Sequence, residues 1–311
     1  MKFARTFTVT GLSVAALLLA ACGGGGANPL GESSAAPSGS ASAGGGPIVV
    51  GSANFTESNV LAEIYSQALQ AKGIESSTKL GIGSREVYIK ALQDKSIAVV
   101  PEYTGNLLLN FDKESKAKTA EEVEAALPGA LPEGLKVLKS SPAVDQDVYV
   151  VTKEFSDKNA VTSLADLSKV AGGVTVAGFS ELEKRAYGPT GLTSTYGVKV
   201  REFKPYDSSE LMAAELKKGK IDVADMFTTD SAIGRNQLVQ LQDPSKLILP
   251  QNVIPLVSAE VADNATATVA LEAVQAALTT EDLIALNSKV DADHEDPDQV
   301  AKEWLTGKGL A

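Results

Sequence analysis

The sequence predicts an α/β fold in which two lobes enclose a ligand cleft. Apolar strand patterns alternate with amphipathic helix patterns, and this alternation occurs in two separate runs of the chain. Strands that are joined through helical crossovers lie parallel, and helices cover both faces of their sheet. Residues 47–311 are long enough to form two modest lobes, one for each run.

The first run is a β-α-β-α-β pattern. Its strands are predicted at residues 48–51, 77–80 and 97–100, and the first and third are almost entirely apolar. The helix predicted over residues 59–72 carries its apolar side chains on one face. A second, shorter amphipathic helix is predicted over residues 84–94.

The second run follows a break in the pattern and begins with the strand-like sequence DVYVVT at residues 147–152. Its other strands are predicted at 174–177, 198–203 and 221–226, and its helices at 163–168, 181–196 and 208–218. Later strands are predicted at 238–243 and 253–261, and the chain ends in helical patterns at 267–279, 281–291 and 298–308.

The first residues of the chain predict export. Lys2 and Arg5 precede an apolar run, residues 11–21, that is too short to span a bilayer as a stable helix. The sequence Leu19-Ala20-Ala21 before Cys22 resembles the lipobox of bacterial lipoproteins, in which the cysteine sulfur is acylated. We therefore expect a signal peptide at residues 1–21 and a lipid on Cys22.

Residues 22–46 are expected to form the lipid anchor and a flexible linker. They are almost entirely Gly, Ala, Ser and Pro, and Glu32 is the only charged residue among them. Such a segment buries too little apolar surface to offset the entropy of ordering it. The expected location is the outer face of the bacterial cytoplasmic membrane, where the lipid holds the protein.

The composition excludes several classes of function. The net charge is −11, and removal of Lys2 and Arg5 makes it −13 (−11 − 2), which argues against nucleic acid as a partner. Cys22 and His294 are the single cysteine and the single histidine, which leaves no disulfide, histidine triad or zinc site. The acidic run around His294 has Asp296 where a calcium loop needs glycine. We expect no metal and no cofactor.

Polar and aromatic residues follow four of the predicted strands. Ligands of open α/β sheets bind beyond the carboxyl ends of the strands, so these segments predict the ligand site. Arg85 and Glu86 add a pair of charges near the mouth of this cleft. The four segments are residues 54–57, 102–105, 180–187 and 227–230.

Three motifs and the C-terminal helix carry a family resemblance. They are NFTE at residues 54–57, PEYTG at 101–105, FTTD at 227–230 and the pattern VAKEWL within 298–310. With these motifs the chain resembles the substrate-binding proteins of ABC importers for glycine betaine, choline and related osmoprotectants. The resemblance covers nearly all of residues 47–311, and PEYTG is its most specific part.

The resemblance implies a type II periplasmic-binding-protein fold, in which two α/β lobes close on the ligand. Two segments would cross between the lobes, near residues 145–151 and 250–256. Lobe 1 would then be discontinuous, with residues 47–145 and 252–311, and lobe 2 would comprise residues 146–251.

The resemblance also implies a set of ligand-binding residues. A quaternary ammonium has no N–H to donate, and aromatic rings attract it instead. Tyr103 and Phe227 match the family's aromatic positions, and Arg185 matches an arginine that can grip a ligand carboxylate. The ligand-binding residues expected from these motifs are Phe55, Thr56, Tyr103, Thr104, Asp147, Arg185, Tyr187, Phe227, Thr228 and Asp230.

The function that follows is capture of a small solute, for which a quaternary amine is the first choice, and its delivery to the transmembrane subunits of an ABC permease. The mechanism is hinge closure of a monomer, and no catalytic residue is expected. Three alternatives remain open at this stage: a binding protein of the same fold for another small solute, an adhesin or sensor on this fold, and a hydrolase that uses the carboxylates of Glu57 and Glu102.

Overall fold

The computed structural model describes residues 46–311, which lie within one compact unit. The predicted signal peptide at residues 1–21, Cys22 and the linker up to residue 45 lie outside the described residues. No helix within residues 46–311 is both long enough and apolar enough to cross a membrane.

The first sheet begins as the predicted β-α-β-α-β unit. Strands β1, β2 and β3 are parallel to one another, with β1 in the middle. The elements of this part are β1 (Ile48–Gly51), α1 (Thr56–Ala71), β2 (Ser76–Lys79), α2 (Arg85–Gln93), β3 (Val99–Tyr103), α3 (Thr104–Phe111), α4 (Ala120–Ala130) and β4 (Leu135–Val137).

The second sheet is formed by the middle of the chain, in the order β7-β6-β8-β5-β9. Strand β6 lies parallel to β7 and β8, whereas β5 is antiparallel to β8 and β9. Its elements are β5 (Asp147–Val151), α5 (Lys153–Asn159), a 3₁₀ helix (Leu164–Lys169), β6 (Val174–Gly178), a second 3₁₀ helix (Ser180–Lys184), α6 (Pro189–Tyr196), β7 (Val200–Pro205), α7 (Ser209–Lys217), β8 (Val223–Phe227), α8 (Ser231–Arg235) and β9 (Val239–Gln240).

The C-terminal part of the chain returns to the first sheet. Strand β10 (Val253–Ser258) pairs antiparallel with β3 and β4, which gives the order β2-β1-β3-β10-β4. The helices that follow are α9 (Ala259–Ala262), α10 (Ala265–Ala277), α11 (Thr280–Asp291) and α12 (Pro297–Lys308). Helices α10, α11 and α12 pack with α1 in one apolar core.

Two segments connect the sheets and run side by side. Val144 and Asn252 form an antiparallel bridge, and the amide of Asp145 donates to the carbonyl oxygen of Gln251 at 3.1 Å. These contacts fall at or next to the ends of the expected crossings, near residues 145–151 and 250–256. The exact lobe boundaries stay a prediction.

Strand β3 is displaced from its predicted position. It was expected at residues 97–100, but it begins at Val99 and continues through Tyr103, so the sequence Pro-Glu-Tyr lies in the strand and not beyond it. Pro101 opposes Pro255 of β10. The backbone amide of Thr104 donates to the carbonyl oxygen of Asn252, so these two residues form a hydrogen-bonded pair. Such pairs alternate with non-hydrogen-bonded pairs along an antiparallel ladder, and Pro101 and Pro255, three positions further along, form one of the latter. The prolines therefore remove no hydrogen bond between these two strands.

Candidate ligand-binding site

A cavity of about 700 Å³, which includes the solvent at its mouth, lies between the two sheets. Residues from both lobes line it, and it sits where β1, β3, β6 and β8 end. The main lining residues from the first sheet and its helices are Phe55, Arg85, Tyr88, Tyr103 and Asn106, and those from the second are Asp147, Phe179, Arg185, Tyr187, Asp225 and Phe227.

Aromatic rings from both lobes meet in this cavity. The ring centroid of Phe55, from the first lobe, lies 5.4 Å from that of Phe227, from the second, and the two rings are stacked. Phe179, also from the second lobe, stacks on Phe227 with its ring centroid 5.6 Å away. The ring centroid of Tyr103 lies 6.2 Å from that of Phe55. The faces of such rings are electronegative, and a face that no other ring covers attracts a diffuse cation.

A buried carboxylate orients the tyrosine of this group. The hydroxyl of Tyr103 donates to Glu57 Oε1 at 2.7 Å. The other oxygen of Glu57 accepts from Thr229 Oγ1 at 2.7 Å and from Asn287 Nδ2 at 2.8 Å. Burial raises the pKa of Glu57, and the hydrogen bonds, which lower it, offset only part of this rise. Since Thr229 follows β8 and Glu57 lies on α1, the carboxylate also joins the two lobes.

A buried ion pair forms one wall of the cavity. Arg85 Nε and Nη2 donate to the two oxygens of Glu102 at 2.8 and 2.9 Å, and Tyr88 Oη donates to the same carboxylate at 2.7 Å. Burial opposes the charge of Arg85, but the Glu102 carboxylate outweighs it and raises the pKa of Arg85. The bidentate geometry fixes the guanidinium plane. Arg85 is therefore held inside the protein, not at the cleft mouth where the sequence predicted it.

Glu86 does lie at the mouth, but its partner belongs to the other lobe. Arg185 Nη1 donates to Glu86 Oε1 at 2.7 Å, and the Glu86 side chain is 58% exposed. Partial burial disfavours the charge of Glu86, but the bond from Arg185 prevails and lowers the pKa of Glu86 to about 2. Arg185 thus spans the cleft from the second lobe to the first.

A third polar contact crosses the cleft deeper inside. Asn106 Nδ2, at the start of α3, donates to Asp147 Oδ2 at 2.8 Å and to Tyr187 Oη at 3.1 Å. Asp147 and Tyr187 belong to the second lobe, and both are buried. Burial raises the pKa of Asp147. The hydrogen bonds from Asn106 and Tyr187 lower this pKa but do not cancel the rise.

The ten residues expected from the sequence fall into three groups. Phe55, Tyr103, Asp147, Arg185, Tyr187 and Phe227 line the cavity just described. Thr56 and Asp230 line a neighbouring cavity on the other side of Phe55 and Phe227. Thr104 and Thr228 line neither of these two cavities, and their hydroxyls bond to the backbone of the crossing region, at Pro250 O and Gln146 N.

Asp230 shapes the turn that presents Phe227. Its Oδ2 accepts from the Phe227 amide at 3.1 Å and from Ser209 Oγ at 2.6 Å. Burial raises the pKa of Asp230 to about 6, although both bonds oppose this shift. The carboxyl group of Asp230 therefore fixes the backbone of Phe227 and so helps to position the Phe227 ring.

Four of the main lining residues were not expected from the sequence: Tyr88, Asn106, Phe179 and Asp225. Phe179 directly follows β6, and its position at a strand end was the signal available. Asp225 is the single charged residue of the apolar strand β8, an anomaly that could have marked it. Asn106 lies on α3, a helix that the sequence did not predict, so the position of its side chain in the cavity could not be predicted.

Comparison with known proteins agrees with this geometry. Residues 46–307 match the family described as the substrate-binding domain of the ABC-type glycine betaine transport system, and the chain belongs to this family. It is 26% identical over 277 residues to the glycine betaine-binding protein YehZ of Escherichia coli K12, with 85% of this chain and 91% of that protein covered. It is 24% identical over 265 residues to the carnitine transport binding protein OpuCC of Listeria monocytogenes, with 83% and 85% covered.

Solved structures show the same two-lobed fold. A glycine betaine/carnitine/choline ABC transporter structure superposes with a TM-score of 0.69 at 20% identity, covering 85% of this chain and 99% of that one. The lactococcal OpuAC structure, closed and in complex with glycine betaine, superposes with a TM-score of 0.61 at 15% identity, covering 85% and 96%.

Family membership settles the class of protein. The chain is an extracytoplasmic substrate-binding protein of an ABC transporter, with a small molecule as its ligand and a permease as its partner. Members of this family bind substrates and are not enzymes, so the hydrolase hypothesis built on Glu57 and Glu102 is set aside.

The buried ion pair predicts a clear difference between two glutamates. Glu102→Gln leaves the Arg85 charge buried without its neutralising partner, and we expect the free energy of unfolding to fall by about 3 kcal/mol. Glu260→Gln is the matched control, because its contact with Lys95 is exposed on both sides and the stability should not change measurably. Chemical denaturation of both variants checks this, and equal stabilities would contradict the role given to Glu102.

Proposed function

We propose that the protein captures a quaternary-ammonium osmoprotectant, such as glycine betaine or choline, in the cavity between its lobes. The observation that carries this proposal is the group of four rings, Phe55 and Tyr103 from one lobe and Phe179 and Phe227 from the other. A quaternary ammonium offers no hydrogen-bond donor, so ring faces in a desolvated cavity are its natural partners. The names of the relatives, which include glycine betaine, carnitine and choline, support the same class of ligand.

Binding closes the two lobes around the crossing segments. Only the short stretches near Val144 and Asn252 have to bend, since each lobe has its own sheet and its own apolar core. A ligand that contacts both lobes binds the closed state better and shifts the equilibrium toward it. The closed protein then presents its ligand to the permease.

The lobe boundaries and the ligand contacts belong to this proposal. Lobe 1 comprises residues 47–145 and 252–311, and lobe 2 residues 146–251, which agrees with the membership of the two sheets. The ligand contacts the six expected residues that line the cavity, whereas Thr56, Thr104, Thr228 and Asp230 shape the adjoining turns. Because residues of one chain line the site on both sides, a monomer suffices.

Calorimetric titration with glycine betaine, choline, carnitine and ectoine tests the ligand class. We expect at least one of them to bind, and Tyr103→Ala to weaken that binding at least about tenfold, since a desolvated cation–π contact contributes about 2 kcal/mol. Tyr196→Ala is the control, because this tyrosine lies outside the cavity and bonds to Asp243. The assignment fails if none of the four compounds gives heat at millimolar concentration.

We also propose that a lipid on Cys22 anchors the protein outside the membrane. The apolar run at residues 11–21, the small residues before Cys22 and the Gly/Ser-rich linker support this anchor. A tether keeps the receptor at high effective concentration beside its permease. In bacterial cells fed a tagged fatty acid, the wild-type chain should become labelled, Cys22→Ser should not, and the linker control Ser34→Ala should match the wild type. An unlabelled wild-type chain would rule the anchor out.

A further inference from the structure

Two carboxylates face the cavity from neighbouring strands. Asp147 lies at the start of β5 and opposes Phe227, and Asp225 lies two residues earlier on β8, the strand that is paired with β5. Both side chains line the cavity, although the two residues are only 6% and 3% exposed. An acid in such a place is costly unless a partner compensates its charge.

Asp225 lacks such a partner among residues 46–311. Its Oδ1 is buried and accepts no hydrogen bond there. Asp147, by contrast, is held by Asn106. Burial first, then the charge of Asp147 and a hydrogen bond shared with Asp147, raise the pKa of Asp225 well above its usual range and favour its neutral form, while Oδ1 stays without a partner in the described part of the chain. A free acceptor in a desolvated position is suited to a hydrogen-bond donor supplied by the ligand.

The arginines of the cavity are already neutralised by glutamates. Arg85 is held bidentately by Glu102, and Arg185 is bound to Glu86. Asp147 and Asp225 are lining groups that no arginine within residues 46–311 holds through a hydrogen bond, and both are acids. A ligand carboxylate would have to displace a glutamate from its arginine and would also lie near two aspartates.

We propose that Asp225, with Asp147 beside it, selects a quaternary-ammonium alcohol such as choline over a zwitterion such as glycine betaine. The ammonium lies against the rings of Phe55, Tyr103 and Phe227, and the ligand hydroxyl donates to Asp225. The positive charge of the ligand compensates the negative charge that this pair of carboxyl groups carries, which a zwitterion with its own carboxylate cannot do to the same degree. This inference rests on the proposed function and narrows its ligand.

Titrations of the wild type with choline and with glycine betaine test the selectivity. We expect choline to bind at least about tenfold more tightly. Asp225→Asn should weaken choline about tenfold or more, since hydrogen bonds to charged groups are among the strong ones, and should leave glycine betaine unchanged or tighter. Asp263→Asn removes an acidic charge from an exposed position at the end of α9, outside both cavities, and should change neither affinity.

Thermal unfolding checks whether each variant is folded, and Asp147→Asn replaces Asp225→Asn if the latter is not. Tighter binding of glycine betaine than of choline by the wild type would overturn this inference and leave the proposed function intact. An equal loss of affinity for choline and for glycine betaine in Asp225→Asn would also overturn this inference and leave the proposed function intact. A residue with only a structural role would affect the binding of both ligands. Failure of every quaternary ammonium to bind would overturn the proposed function itself.

Discussion

The site depends on polar contacts that cross the cleft between the lobes. Arg185 binds Glu86 at the mouth, Asn106 binds Asp147 in the interior, and Thr229 binds Glu57 at the back. They bring together rings that belong to different sheets. Hydrogen bonds to charged groups contribute about 1.5–3 kcal/mol net, and the Arg185 pair contributes less because Glu86 is exposed to water. Under the proposed closure mechanism, a ligand that contacts both lobes adds its binding energy to these contacts and shifts the equilibrium toward the closed state.

Buried acid distinguishes this cleft from an ordinary apolar pocket. Glu57, Asp145, Asp147 and Asp225 are all nearly inaccessible, and burial raises the pKa of each of them. Hydrogen bonds compensate part of the cost, as at Glu57. The proposed cationic ligand would compensate more, because its charge would enter the same desolvated space. The aromatic rings and the acids thus favour the same kind of ligand for different physical reasons.

The sequence predicted those features that are local. Strand and helix periods revealed both α/β runs, and Phe55, Tyr103 and Phe227 could be named from motifs near strand ends. The partner of a charge could not be read in this way: Arg85 and Glu86 are adjacent in sequence, yet one binds Glu102 within its own lobe and the other binds Arg185 of the opposite lobe. Helices α3, α4, α5, α8 and α9 were also missed, and the strand predicted at 253–261 ends at Ser258, because packing rather than a clear apolar period stabilises such helices.

The distance between the lobes tests the central claim most directly. Spin labels at Val87 and Leu211, exposed residues on α2 and α7, report it in a Cys22→Ser background that leaves no other thiol. We predict that saturating choline shifts the distance distribution to a single, narrower population, and that Tyr103→Ala abolishes this shift. An unchanged distribution in the presence of a ligand that calorimetry shows to be bound would contradict capture by closure of the lobes.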